Sequence, residues 1–298
     1  MIALNQPFVE QPPECVSAKL DDYGIIQVSG DDANSFLQGQ LTCDLQLLEQ
    51  QSFVYGAHCD PTGKAFSVFW LVPWQASFLL IMHRSAVAGS LAQFKKYGVF
   101  NQVTLEDVSD NWTLAGVFGT QADQVITDQN DDTIIIKVGS EPLQYLLLSP
   151  TPISTDYSQL YWDALEIERV RPQLTAENSQ QFVPQMLNIQ ALDGVSFDKG
   201  CYIGQETIAR MKYLGKQKRA LFRLSGQAQA VKPGTELERQ VGENWRRAGT
   251  VIMAVNRSEQ LQDLLAVLPS DIEQETSIRV RGDDASLLEI HSLPYQLG

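Results

Sequence analysis

The stretch from Phe197 to Arg219, FDKGCYIGQETIARMKYLGKQKR, sets a cysteine between two glycines and follows it with positive charge. From Lys199 to Arg219, the basic residues Lys199, Arg210, Lys212, Lys216, Lys218 and Arg219 face a single acid, Glu206, a local balance of +5 in a chain whose formal net charge is -14. Gly200 and Gly204 bracket Cys201, Tyr202 and Ile203, which suits a tight loop, and the residues from Gln205 to Lys212 read as the start of a helix. Cys201 then lies one turn ahead of a helix N-terminus, where unpaired N–H groups and the macrodipole favour an anion, and Lys199 adds a positive charge nearby. Both effects push a thiol toward thiolate, the form that acts as nucleophile or metal ligand. A buried cysteine in a well-packed turn is the competing reading, and the uncompensated basic run weighs against it. Two ligands suit such a site, a small planar polyanion or an acidic partner protein. A planar ligand needs aromatic surfaces, for which Tyr23 in LDDYG and Trp162 in YWDALEIE are candidates, each readable also as core filler.

Other chemistries are excluded by spacing. GAHCDPTGKA, residues 56–65, has six residues between its glycines and Ala65 after the lysine, so it is not a phosphate-binding loop. There is no G-x-G-x-x-G, G-x-S-x-G or H-E-x-x-H, and His58, His83 and His291 are too scattered to anchor a triad. Cys15, Cys43, Cys59 and Cys201 form no C-x-x-C pair and imply neither a disulfide framework nor a self-contained metal site. Glu166 and Glu168, two apart on a predicted helix, point to different faces and do not act together. The net charge of -14 argues against extended contact with a phosphate backbone and leaves only a local patch open.

The elements that must position these residues are legible from pattern. A chain of 298 residues with 44% hydrophobic content predicts two or three domains. GIIQVSG predicts a strand and DDANSFLQGQLTCDL a helix capped by Asp31 or Asp32. SFVYGAHC and KAFSVFWLV flank Asp60-Pro61-Thr62-Gly63, a hairpin turn, and SFLLIMH leads into a helix ending at Gly98, followed by the strand VTLEDVS. The apolar run from Phe66 to Met82, broken by Pro73, Gln75 and Ser77, predicts two buried strands rather than a membrane span. WTLAGVFG, TIIIKVG and QYLLLS are further strands, and SQLYWDALEIERVRP a helix that Pro172 ends. Beyond Arg219 six short strands separated by turn residues predict a small barrel. The N-terminus carries no basic region followed by an apolar run, which places the protein in the cytoplasm.

Lys199-Gly200-Cys201-Tyr202-Ile203-Gly204-Gln205-Glu206 resembles the K-G-C-Y/F-x-G-Q-E signature of the YgfZ family, folate-binding proteins described as tRNA-modifying and related to the glycine-cleavage aminomethyltransferase. SGDDANSFLQGQLTCDL, AHCDPTGK, QFVPQMLNIQALDGVSFDKG and GENWRRAGTV extend the resemblance over nearly the whole chain. It implies an α+β protein of three domains in an aminomethyltransferase-like ring: residues 1–45 with 155–220 as a discontinuous folate-binding domain, 46–154 as a ferredoxin-like unit, and 221–298 as a C-terminal β-barrel.

The resemblance also implies a tetrahydrofolate-binding accessory factor for iron-sulfur enzymes rather than a classical enzyme. Through those enzymes it would affect tRNA thiomethylation and the regulation of replication initiation. It implies iron-sulfur client or assembly proteins as partners, transient contact with a cluster, no direct nucleic-acid contact and no membrane. Cys201 takes the position of the signature thiol and Trp162 that of a folate-site tryptophan; Tyr23 stands where relatives carry another. Ser67 falls near the place of the methyltransferase's acid, and a serine is a poor substitute for a carboxylate in proton transfer. A folate-dependent one-carbon transferase or demethylase, and an adaptor docking an acidic partner, are the alternatives.

Overall fold

The structure, a computed structural model, describes residues 14–297 apart from Asp128, Asp131, Lys216 and Glu259. The N-terminal segment and Lys216, both used in the sequence reading, lie outside the described residues. The chain begins with β1 (Val16–Lys19), β2 (Tyr23–Ser29) and α1 (Ala33–Gln40), then runs through β3 (Val54–Cys59), β4 (Ala65–Trp74) and β5 (Ser77–His83) into α2 (Arg84–Tyr97) and β6 (Thr104–Asp107). β7 (Thr113–Phe118), α3 (Ala122–Ile126), β8 (Ile134–Ser140) and β9 (Leu143–Ser149) precede α4 (Leu160–Glu168), a stretch of short 3-10 turns and α5 (Gln205–Tyr213). Six strands complete the chain: β10 (Arg219–Gln227), β11 (Glu236–Val241), β12 (Asn244–Asn256), β13 (Leu261–Pro269), β14 (Ile278–Val280) and β15 (Leu287–Ile290).

A five-stranded antiparallel sheet in the order β3-β4-β5-β2-β6 follows from alternation. Ile26, Val28, Phe69, Leu71, Leu80 and Met82 turn to one face and pack with Phe36 and Leu37 of α1 and Val87 and Phe94 of α2. Ile25, Trp70, Val72, Leu79 and Ile81 turn to the other and enter the central core. The second sheet, β1-β7-β9-β8, supplies Leu114, Ile136, Leu146 and Leu148 to that core. Because β2 pairs with β5 and β6, the first sheet draws strands from both sides of residue 45. Asp32 occupies the N-cap position of α1 without capping it; its carboxylate accepts instead from the Gln102 N–H at 2.7 Å.

The last six strands close into a barrel, order β10-β13-β12-β11-β14-β15, with Leu224, Leu237, Val251, Leu264 and Leu288 inside. Its outer face joins the central core through Leu221, Ile252, Leu265 and Val267. Asn188 brackets this junction, donating to the Leu221 carbonyl at 2.8 Å and accepting from the Leu221 N–H at 3.1 Å. A second tie is ionic: Glu168 at the end of α4 meets Arg257 of the barrel at 2.8 Å. No helix among the described residues is long and apolar enough to cross a membrane.

Candidate functional site

The segment carrying Cys201 is wedged between α1 and the β3–β4 turn. Gly204 has φ +83° and caps α5; a Cβ there would lie 2.6 Å from the Asp60 carbonyl oxygen and 2.8 Å from the Gly63 Cα. Gly63, also left-handed at φ +82°, would meet Thr207 at 3.0 Å. The two glycines therefore let the hairpin turn and the helix start touch backbone to backbone. Asp60 holds the turn, accepting from the Thr62 N–H and hydroxyl at 2.8 and 2.7 Å and from the Lys64 N–H at 3.0 Å. Burial raises its pKa, but these hydrogen bonds outweigh burial and hold the carboxyl below its ordinary value. On the other side the Ile203 N–H donates to the Gly39 carbonyl at 3.0 Å.

Cys201 is exposed, three residues before the helix cap. Cys43 and Cys59 are buried, and burial pushes the Cys43 thiol up to about 12 and that of Cys59 higher still. Among the described residues no group of three His, Cys, Asp or Glu side chains could hold a metal ion.

Lys199 does not stand beside the thiol as expected. Its ammonium is buried and donates to the Gln38 carbonyl at 2.7 Å and the Cys43 carbonyl at 2.6 Å, while lying 5.0 Å over the Tyr202 ring. Burial pulls its pKa down to about 8, with Cys43 and Asp44 acting in the opposite sense. Lys199 and Tyr202 thus anchor the loop from inside while Cys201 faces out. The basic run disperses as well: Lys212 lies 3.8 Å over Phe197, and Arg219 belongs to the barrel.

Tyr23 and Trp162 meet at the central core. The Trp162 Nε1–H donates to the Tyr23 hydroxyl at 3.2 Å, and Gly116 of β7 leaves room for the indole, since a Cβ there would fall 2.0 Å from Cε3. Packing encloses both rings: Tyr23 is 2% and Trp162 0% exposed. They are part of a larger aromatic cluster, with Trp70 at 5.9 Å from Tyr23, 6.5 Å from Trp162 and 5.8 Å from Tyr55 between ring centroids. The Arg171 guanidinium lies 5.4 Å over Trp70 and forks onto both oxygens of fully buried Glu166 at 2.6 Å. Glu166 also accepts from Gln144 Nε2 at 2.6 Å. Glu166 and Glu168 do point apart, one to this network and the other to the barrel.

Trp70 Nε1 in this core has no partner among the described residues, and neither has either end of the buried Gln173 amide, two residues beyond Arg171. An unpaired indole N–H beside aromatic rings suits a flat, polar heterocycle of the pterin kind. Asp163, next to Trp162, is half-buried; burial pushes its carboxyl up to about 7, opposed by its hydrogen bond from Gln159 and reinforced by Glu166 and Asp22. Ser67 turns away from this core: it shares the α2 face with Phe69, is fully buried, and accepts from the Ser90 hydroxyl at 2.8 Å. Trp70, Tyr55, Arg171, Gln173 and Asp163 were not singled out by the sequence. Trp70 is one apolar residue in an apolar strand, and Arg171 and Glu166 become partners only when the chain turns after α4.

Two sheets, an aromatic core shared between the first sheet and α4, and a closed terminal barrel make up the aminomethyltransferase-like fold. The chain superposes on glycine cleavage system aminomethyltransferase T from Bartonella henselae with a TM-score of 0.70 at 16% identity, over 94% of this chain and 86% of that one. Residues 18–138 match the GCVT N-terminal domain and residues 217–284 the YgfZ β-barrel domain. The tRNA-modifying protein YgfZ of Colwellia psychrerythraea is 38% identical over 98% of this chain and 96% of its own length. That of Vibrio vulnificus strain CMCP6 is 38% identical over 96% and 94%. The chain belongs to the YgfZ family.

Proposed function

We propose that the protein is a tetrahydrofolate-binding accessory factor in tRNA modification, acting through the synthesis or repair of iron-sulfur enzymes in the cytoplasm, with Cys201 as its working thiol. The observation that carries the reading is the exposure of Cys201 on a loop that Lys199, Tyr202 and Gly204 fix from within. Gly204 sits against Gly63, Lys199 on two carbonyls and Tyr202 in the core. A rigid base under an accessible sulfur is what thiol chemistry on a partner's cluster or sulfur species requires. Folate would be held at the core of Tyr23, Trp162 and Trp70, with the unpaired Trp70 N–H supplying a hydrogen bond to the pterin. Relatives named tRNA-modifying support the link to tRNA.

In a strain lacking its native factor, wild-type protein is expected to restore tRNA thiomethylation and Cys201→Ala to lose most of that rescue. Cys201→Ser, which keeps the shape without the sulfur, is expected to fail equally. Full rescue by both variants removes the thiol from the mechanism.

A further inference from the structure

A cavity of about 380 Å³, a volume suited to a small molecule, opens where the turn carrying Gln190 and Asp193 meets the end of α5 and Leu297. It shares no lining residue with the aromatic core and does not include Cys201. Gln185, 3% exposed, and Gln190 line it, and their hydrogen bonds fix which way each amide faces. Gln185 Nε2 donates to the Ile208 carbonyl at 2.7 Å and Gln190 Nε2 to the Leu297 carbonyl at 3.2 Å. A carbonyl only accepts, so the nitrogens must face it and the oxygens are the free ends. Both oxygens are buried without a partner among the described residues, a cost that a guest carrying N–H groups removes. Each nitrogen also keeps a second hydrogen to give.

Charges of both signs stand at the rim. Asp193 and Lys212 line the cavity and are exposed, and among the described residues neither has an ion-pair partner, each other included. The Lys212 ammonium is held at the wall, 3.8 Å over the Phe197 ring. Half-buried Phe197 and Met211 give that wall its apolar surface.

We propose that this cavity binds a free α-amino acid with a carboxamide side chain, glutamine or asparagine. The carboxamide enters, giving its N–H groups to the Gln185 and Gln190 oxygens and accepting from their spare hydrogens. At the rim the ammonium meets Asp193 and the carboxylate meets Lys212, while the aliphatic stem lies along Phe197 and Met211. Other side chains fit the lining worse. A guanidinium would be buried with no carboxylate inside to balance it, since Asp193 stands at the rim. A carboxylate would set acceptor against acceptor, and an apolar side chain would leave both amide oxygens unpaired.

The test is equilibrium dialysis of radiolabelled glutamine against the full chain without folate. Saturable binding is expected, with unlabelled glutamate and leucine competing at least about tenfold more weakly than unlabelled glutamine. Gln190→Met keeps the length of the side chain without its amide and is expected to weaken binding about tenfold. Asp193→Asn suits the left-handed backbone that Asp193 adopts at φ +57°, and is expected to weaken binding by about two- to fivefold, the worth of an exposed ion pair. Melting temperatures establish that each variant is folded, and Asp193→Asn carries the test if Gln190→Met is not. No saturable binding up to about 10 mM glutamine, equal competition by glutamate, or unchanged affinity in either folded variant overturns the proposal. So does displacement of glutamine by tetrahydrofolate, which would assign the binding to the aromatic core. Cys201 is not among the lining residues, so thiomethylation rescue can fail or succeed independently.

Discussion

Asp163 shows how far a residue's chemistry depends on what the fold brings near it. Its carboxyl, raised to about 7, keeps a proton in the folded state that an unfolded chain has released above about pH 4. The folded state thus binds more protons across that window, and this group's contribution to stability falls as pH rises from about 4 through 7. Asp163→Asn is expected to abolish that slope and to gain about 1–2 kcal/mol at pH 8, measured by urea unfolding at several pH values. His58 acts in the opposite sense. Burial pulls its pKa down to about 3, it stacks on Phe94 at 3.9 Å, and neither ring nitrogen has a partner among the described residues, so stability falls as pH drops below about 6.5. Neither behaviour was legible in the sequence, where Asp163 was one acid on a helix and His58 one of three scattered histidines. Lys199 teaches the same lesson more sharply. Two positions separate it from Cys201, yet its long stem carries the charge inward to the carbonyls of Gln38 and Cys43.

Among the elements, the contact between the β3–β4 turn and the start of α5 decides where the thiol stands. The two signature glycines are equivalent on paper and unequal in space. Gly204 is left-handed and closed in by Asp60 and Gly63, whereas a Cβ at Gly200 would meet nothing within 4 Å. Gly204→Ala is expected to cost about 2–3 kcal/mol and Gly200→Ala under about 0.5, read as shifts in the urea midpoint. The hairpin itself was legible because Pro61 and Gly63 prescribe a turn and the flanking strands are apolar on both faces. All six barrel strands were legible for a similar reason, each being apolar in pattern and bounded by turn residues. The packing of hairpin on helix was not, because residues 60–63 and 204–207 are far apart in the chain and nothing local marks them as partners.

For the molecule as a whole, the folate site proposed above lies at the aromatic core of Tyr23, Trp70 and Trp162, where both sheets and α4 meet. Titration with tetrahydrofolate, followed by tryptophan fluorescence, is expected to give a saturable change in the wild type. Trp162→Phe keeps the packing against Gly116 but loses the bond to Tyr23, and is expected to weaken binding about tenfold. No saturable change in the wild type counts against the folate part of the proposal. Overall architecture was legible through the family signature and strand pattern, while the buried Glu166–Arg171 pair and the closing of Tyr23 on Trp162 were products of assembly. The terminal barrel has a consequence of its own. Its first strand hydrogen-bonds to its last, β10 to β15, so the cylinder has no seam at which a foreign strand could be zipped in. The barrel wall therefore meets its surroundings through side chains and the turns between strands, not through an open strand edge.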